Sequence, residues 1–372
     1  MKIAIVHYWL VGMRGGEKVV EALLDLYPGA DIFTHVVDPS AVSRKTLDAV
    51  SGTTFVGKLP FATRLYQMYL PFMPLALEQL DLRGYDLVIS SESGPAKGVL
   101  TDPEALHICY CHSPMRYIWD MYHDYRSNAG WFKRLLMPMV AHYMRMWDVS
   151  SAQRVGHFVA NSRFVAERIR TFYNRDAEVI NPPVAVDDFA PSSVKGGYYL
   201  MVGELVGYKR ADLAVEAFGS SGRPLKVVGG GECFEALSRE APANVEFLGK
   251  VDFSVLKRLY SEARALIFPG AEDFGIVPVE AIASGTPVIA FRKGGALETV
   301  VEGKTGLFFD QQTAESLNEA VERFESIEQA FDSAILVNTA RAFERQAFLE
   351  QFEALVKRRL AEKSARLGAG PL

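Results

Sequence analysis

A chain of 372 residues is too long for one typical core, so about two domains are expected. With 49% apolar residues, a formal net charge of −5 and mean hydropathy near zero, it has the composition of a soluble globular enzyme, which excludes disordered and fibrous classes. Its three cysteines give no disulfide framework and favour a reducing cytosol.

The opening run Met1-Lys2-Ile3-Ala4-Ile5-Val6, cut off by His7, suits a strand and not a signal peptide. A loop over 8–14, the pair Gly15-Gly16 and a helix over 17–27 follow, which is how a doubly wound sheet begins. The two glycines let main-chain N–H groups face a phosphate, although the three spaced glycines of a dinucleotide fingerprint are missing. Residues 31–37 read as a second strand, 59–82 as Pro-punctuated amphipathic helix, and 85–90 as a buried strand running into the polar loop Ser91-Glu92-Ser93-Gly94. The longest apolar stretch, 65–77, is broken by Pro71 and Pro74, and no run reaches bilayer-spanning length.

In His107-Ile108-Cys109-Tyr110-Cys111-His112-Ser113-Pro114, strand alternation puts His107, Cys109 and Cys111 on one face. Structural zinc sites need a second ligand pair elsewhere, and Cys233 stands alone. The favoured reading is a strand that delivers His112 to a ligand crevice, beside a sugar hydroxyl or a phosphate oxygen. A helix over 131–148, kinked near Pro138, a strand over 158–161 and a helix capped by Ser162 come next. Between Arg126 and Arg175 there are nine Lys or Arg against two acidic residues, a net +7 interleaved with Trp131, Phe132, Tyr143 and Trp147. That pattern suits an anionic surface, either lipid headgroups or a phosphorylated substrate; helix faces packed on a sheet with their arginines in solvent would give it too.

Asn181-Pro182-Pro183 and residues 187–195 form the linker candidate, and the strand–helix scheme then repeats. Strands are expected over 198–202, 225–228, 245–248, 265–268, 287–291 and 306–309, with helices from Lys209 to Phe218 and over 253–262, 297–301 and 314–323. The fold class is therefore α/β, two Rossmann-like doubly wound parallel-sheet domains. They are expected over 1–190 and 191–345, with residues 346–372 as a helix crossing back to the first.

The second domain centres on Gly270-Ala271-Glu272-Asp273-Phe274-Gly275-Ile276-Val277-Pro278-Val279-Glu280, at the carboxyl end of the strand over 265–268. Ligands of open parallel sheets sit in that crevice, and the free N–H groups of a helix's first turn favour an anion. An anion there, with Glu272 and Glu280 accepting sugar hydroxyl protons, makes a nucleotide-sugar pocket. The bland alternative is a first-turn carboxylate complementing the helix dipole and an exposed helical glutamate.

The chain resembles the retaining nucleotide-sugar glycosyltransferases of GT-B fold, family 4, and within them the bacterial O-antigen and exopolysaccharide mannosyltransferases. Arg14-Gly15-Gly16-Glu17-Lys18, Cys111-His112-Ser113-Pro114, Gly203 with Tyr208-Lys209-Arg210, the Glu272–Glu280 pair, Gly285-Thr286-Pro287 and Gly294-Gly295-Ala296-Leu297-Glu298 carry the likeness. It implies an interdomain cleft with Glu272 near the donor sugar, Glu280 on the nucleotide ribose, His112 beside the transferred sugar and Lys209 on the diphosphate. The backbone of Phe274, Gly275, Ile276 and Val277 would cradle that diphosphate, and Gly15 and Gly16 would close over it. Glu204 departs from the family's arginine, and Arg210 is expected to replace that charge.

The resemblance also implies a donor, GDP-mannose, a lipid-linked glycan acceptor and attachment to the cytoplasmic membrane's inner face, with no cofactor and no nucleic acid partner. No Asp-x-Asp triplet occurs, so no metal held by that motif is expected. A UDP-sugar transferase of the same fold, a non-hydrolysing nucleotide-sugar epimerase and a non-catalytic nucleotide-sugar-binding subunit are the alternatives. Donor titration, product analysis without acceptor and transfer assays distinguish them.

Overall fold

The computed structural model describes residues 1–127 and 129–368. The chain folds as two compact units, one running to Pro183 and taking up the chain again from Phe348, the other Val184–Ala347.

The first unit holds seven parallel strands: β1 (Ile3–His7), β2 (Asp31–Thr34), β3 (Val50–Thr53), β4 (Leu87–Glu92), β5 (Leu106–Cys111), β6 (His157–Ala160) and β7 (Ala177–Val179), in the order β3-β2-β1-β4-β5-β6-β7. β1, β4 and β5 are buried along their whole length, as near-continuous apolar runs covered on both faces should be. Strand order reverses between β1 and β4, which pair with His7 opposite Ser91, so their carboxyl ends open the crevice where such sheets take ligands. The helix Gly15–Leu26 seats Val19, Val20, Leu23 and Leu24 against Ile5 and Ile89. The carboxyl-terminal helix Arg345–Gly368 puts Phe348, Phe352, Leu355 and Val356 into that same core, with Phe348 edge-on to Tyr110 at 5.8 Å.

The second unit is a six-stranded parallel sheet: β8 (Tyr199–Val202), β9 (Leu225–Val228), β10 (Val245–Gly249), β11 (Leu266–Phe268), β12 (Val288–Phe291) and β13 (Gly306–Phe309), ordered β10-β9-β8-β11-β12-β13. Its reversal falls between β8 and β11, which places the loop 203–210 beside the loop 269–275. The helices Ala211–Ser221 and Ala314–Ile327 cover one face, and the helix Ile276–Ala283 packs on the other.

The α/β class holds in both units, and most elements lie within a few residues of their expected bounds. The edge strand β3, with its Gly52 and few apolar residues, carries too little periodicity to be read from sequence. The helix Ser333–Ala340 was also missed; only Leu336 and Ala340 are buried in it. The helix expected from Lys209 starts at Ala211, because Gly207–Lys209 is a 3-10 turn and Arg210 has φ +56°.

The basic window is less free than its charge suggests. Arg168 is buried against Asp120 and Ser113, Arg175 donates to the carbonyls of Ala152 and Val155, Arg154 pairs with Glu78, and Arg145 donates to the Ile118 carbonyl. Asp148 joins Glu92 and Lys97 in a fully buried cluster where Lys97 Nζ lies 2.6 Å from Glu92 and also contacts Asp148, which accepts from Tyr173 and Trp119. Burial alone would strip Lys97 of its proton; the two carboxylates overcome it and raise its pKa, while burial raises Glu92. Lys97→Ala would leave two buried carboxylates without their cation, so it is expected to destabilise the first unit by about 3–5 kcal/mol in denaturant unfolding, with Lys97→Arg recovering part of the loss.

Candidate functional site

In the second unit β8 delivers Gly203 and, after a short loop, Lys209; β11 delivers the loop that carries Glu272 and Gly275. Lys209 Nζ lies 3.0 Å from Glu272 Oε1, with both side chains mostly buried. Burial would lower the Lys209 pKa, but Glu272, Tyr208 and Glu204 outweigh it and hold the ammonium charged, above its ordinary range. Gly275, at φ +86°, takes a left-handed turn closed to most side chains and ends with the amino terminus of the helix Ile276–Ala283 open. The Phe274 ring is buried edge-on to Phe343 at 5.5 Å, and Ile276 and Val277 pack on the same core, so these residues offer their backbone to a ligand. The Gly295 N–H bonds the Glu272 carbonyl at 2.9 Å and fixes the loop.

Glu280 lies one turn along that helix and is half-buried. Burial raises its carboxyl, and Tyr260, itself buried, donates its hydroxyl to Glu280 Oε2 at 2.8 Å. A carboxylate held by one strong donor keeps acceptor capacity for a second, which suits a vicinal diol. Glu272 precedes the helix and is ion-paired, and Glu280 is half-buried with the Tyr260 hydroxyl on its carboxylate. Arg210 turns its guanidinium onto Asp212 along the first turn of its own helix, while Glu204 acts on Lys209 as a further negative charge.

In the first unit, the carboxyl ends of β1, β4 and β5 bring His7, Ser91 and His112 together. His7 Nδ1 lies 3.0 Å from Ser91 Oγ, and Ser91 Oγ lies 2.8 Å from His112 Nε2. Glu17, in the first turn of the helix Gly15–Leu26, accepts from the Arg14 N–H at 2.9 Å and stands 3.8 Å from His7 Nε2. Burial would raise its carboxyl, but His7 and the helix N–H groups outweigh burial and lower it. Burial pushes the His112 imidazole down to about 3, so it is neutral. Its backbone is pinned by the Glu92 carbonyl and by Asn161 Nδ2, which donates to the His112 carbonyl at 2.9 Å. Gly16 sits over this group: a Cβ there would come within 2.8 Å of the Tyr8 hydroxyl and 3.5 Å of His112 Nε2. Gly15 begins the helix beside it.

Sequence reasoning did not single out His7, Ser91, Glu17 or Tyr260 as site residues. Only the register of β1 on β4 makes the first two neighbours, and no local spacing signals it. Cys109 and Cys111 are buried in an apolar cluster with Phe158 and Tyr173, and burial raises both thiols. Among the described residues, no three His, Cys, Asp or Glu side chains are grouped to hold a metal ion.

Two family models match in succession: Glycosyltransferase Family 4 over residues 13–188 and Glycosyl transferases group 1 over residues 187–346. The chain is 30% identical over 200 residues to the O-antigen chain mannosyltransferase RfbU of Salmonella typhimurium, covering 50% of this chain and 56% of that protein. It is 31% identical over 192 residues to the GDP-mannose-dependent alpha-(1-6)-phosphatidylinositol monomannoside mannosyltransferase of Mycolicibacterium smegmatis, covering 43% and 50%. The aligned region thus spans about half the length of these relatives. In fold it is similar to sucrose-phosphate synthase from Thermosynechococcus elongatus, with TM-score 0.75 at 19% identity over 97% of this chain and 100% of that one. Anabaena Alr3699/HepE in complex with UDP matches at TM-score 0.69 and 16% identity over 96% and 100%. Two parallel α/β units of this topology, matched in turn by these two models, make the chain a member of the GT-B-fold glycosyltransferases, with a family 4 unit followed by a group 1 unit.

Proposed function

We propose that this glycosyltransferase is a retaining hexosyltransferase that moves mannose from GDP-mannose to a lipid-linked oligosaccharide in O-antigen or exopolysaccharide synthesis. The observation that carries the proposal is the Lys209–Glu272 pair beside the open amino end of the helix Ile276–Ala283. Cleaving a sugar–phosphate bond leaves extra negative charge on a nucleoside diphosphate. A buried ammonium and a fixed row of N–H groups stabilise that charge without reorganising, commonly the largest catalytic contribution. Glu272 then steadies a sugar hydroxyl and Glu280 the ribose. Retention follows if the acceptor oxygen bonds the anomeric carbon on the face the phosphate leaves, with the acceptor's proton passing to the departing phosphate oxygen. With no Asp-x-Asp triplet, the protein's own cation and dipoles carry the charge, so we propose a metal-independent reaction. The two mannosyltransferase relatives, one of them GDP-mannose-dependent by name, support the choice of donor.

The acceptor rests on a surface of the first unit. The helix Trp131–Ala152 exposes Trp131, Leu135, Met139 and Met146 along one side, Trp131 at 80% and Met139 at 74%. Lys133 and Arg134 of the same helix, and Phe61, Met68 and Phe72 of the segment 61–72, are exposed as well. A helix with an exposed apolar stripe and basic residues in its first turn suits the headgroup region of an anionic membrane, and no helix among the described residues is long and apolar enough to cross one.

Lys209→Ala and Glu272→Ala are each expected to lower turnover at least about 10²-fold, the scale of losing one oxyanion-type contact; near-parental turnover in either contradicts the assignment. Isothermal titration is expected to give tighter binding of GDP than UDP, and the reverse order removes mannose as the donor sugar. Sedimentation with anionic vesicles at low salt is expected to pull down the parent chain but much less of a Trp131→Ser, Met139→Ser double variant, and failure of the parent to bind leaves a soluble acceptor.

A further inference from the structure

The segment between β3 and β4 carries apolar residues on both of its faces. It runs through three short helical pieces, Ala62–Leu65, Tyr66–Phe72 and Met73–Glu78. The inner face packs as expected, with Ala62, Met73 and Ala76 buried against Val36 and Val56. The outer face of such a segment should be polar, yet Phe61, Leu65, Met68, Phe72 and Leu75 are all exposed, recurring every three or four residues.

Phe61 heads that stripe in a conformation its side chain resists. It is 70% exposed, and at φ +53° it occupies the left-handed region, where a bulky residue is rare. Local bonds hold the turn: the Phe61 carbonyl accepts from the Arg64 and Leu65 N–H groups at 2.9 and 2.8 Å, and the Tyr69 hydroxyl donates to the Pro60 carbonyl at 2.8 Å. Glycine would take the same turn without strain, and a ring this exposed gains little from the chain's own packing. Strain kept at an exposed aromatic therefore points to a contact outside the chain.

We propose that the segment 61–75 inserts into the hydrocarbon margin of a lipid bilayer, with Phe61 as its wedge, by a contact that does not need lipid charge. The proposal rests on the membrane-bound acceptor proposed for this chain and names the element that enters the lipid. Charge identifies the occupant. Between residues 59 and 76 the only charged side chain is Arg64. A protein seam carries a polar rim, whereas the acyl boundary takes apolar side chains without one. The neighbouring helix points the same way: Leu70 packs in one cluster with Ala141 and Met144 of the helix Trp131–Ala152, so two exposed apolar stripes belong to elements that touch. Paired stripes of this kind are uncommon on a free monomer and fit a broad lipid surface better than one partner helix. The helix adds Lys133 and Arg134 in its first turn, so it supplies attraction to anionic headgroups and the segment supplies the insertion.

Flotation of the complete chain with vesicles of phosphatidylcholine alone, and of phosphatidylcholine mixed with phosphatidylglycerol, separates insertion from attraction. The parent is expected to bind both, with added salt removing only the extra binding to the anionic mixture. Phe61→Gly is expected to weaken binding to the neutral vesicles about tenfold, the scale of taking one phenyl group out of apolar surroundings, with a denaturant midpoint no lower than the parent's. Phe61→Trp is expected to bind as the parent does. No parental binding to neutral vesicles, or equal binding by the parent and Phe61→Gly, overturns the insertion. A Phe61→Gly midpoint well below the parent's shows that the fold itself needs the ring and overturns the wedge. A parent that sediments as a dimer, ignores both vesicles and becomes a monomer in Phe61→Gly makes a second copy the occupant and overturns the proposal too. Parental binding in Phe61→Gly together with its loss in the Trp131→Ser, Met139→Ser double variant overturns the insertion and leaves the helix face as the membrane contact. These measurements use no nucleotide sugar, so a chain that inserts yet transfers no mannose sinks the proposed reaction and leaves the insertion standing.

Discussion

A single ion pair at the mouth of a helix organises the second unit. Lys209 and Glu272 arrive from different strands, β8 and β11, and meet because the sheet reverses its order between those two. Reversal leaves the carboxyl ends of both strands uncovered, and Gly275 turns the chain so that the following helix starts there with its N–H groups unsatisfied. A cation, a carboxylate and a helix dipole thus share one partly buried place where each acts more strongly than it would in water. Glu280 and Tyr260 extend the same place along the helix, with a buried hydroxyl ordering a half-buried carboxylate.

The first unit follows the same rule with different chemistry. Its reversal between β1 and β4 also uncovers two strand ends, but imidazoles and a serine hydroxyl occupy them, with the Glu17 carboxylate set back in a helix's first turn. One sheet topology therefore presents a fixed positive charge in one unit and a neutral imidazole in the other. Both depend on glycines for close approach: Gly275 for its left-handed turn, and Gly16 for the room it leaves beside Tyr8 and His112.

Much of this was legible in the residues. The parallel α/β class, the strand from 306 to 309, the helix from 253 to 262 and the Ser162 cap all followed from periodicity and capping chemistry, and Ser162 does accept from the Val165 N–H. The loop that carries Glu272 could be placed at a strand end because an apolar run precedes it and a helix follows. What stayed hidden depends on register and packing. His7 and Ser91 are 84 residues apart and become partners only through β-pairing, and Tyr260 reaches Glu280 across a helix–helix contact. The basic window misled for a related reason: composition counts Arg168 and Arg175 as surface charge, whereas the fold uses them to hold carbonyls and Asp120. Glu204 and Arg210 show the same limit, since sequence does not tell that Arg210 pairs with Asp212 or that Glu204 acts on Lys209 as a negative charge.

The account is tested most directly by how the affinity of the chain depends on a ligand's phosphates. Calorimetric titration of the parent with guanosine, its monophosphate and its diphosphate, repeated in Lys209→Ala, separates contacts to the nucleoside from contacts to the diphosphate. The account predicts that the parent favours the diphosphate over the nucleoside by at least about 10²-fold and that Lys209→Ala loses most of that preference while nucleoside binding is unchanged. A variant that keeps the parent's preference for the diphosphate would contradict it.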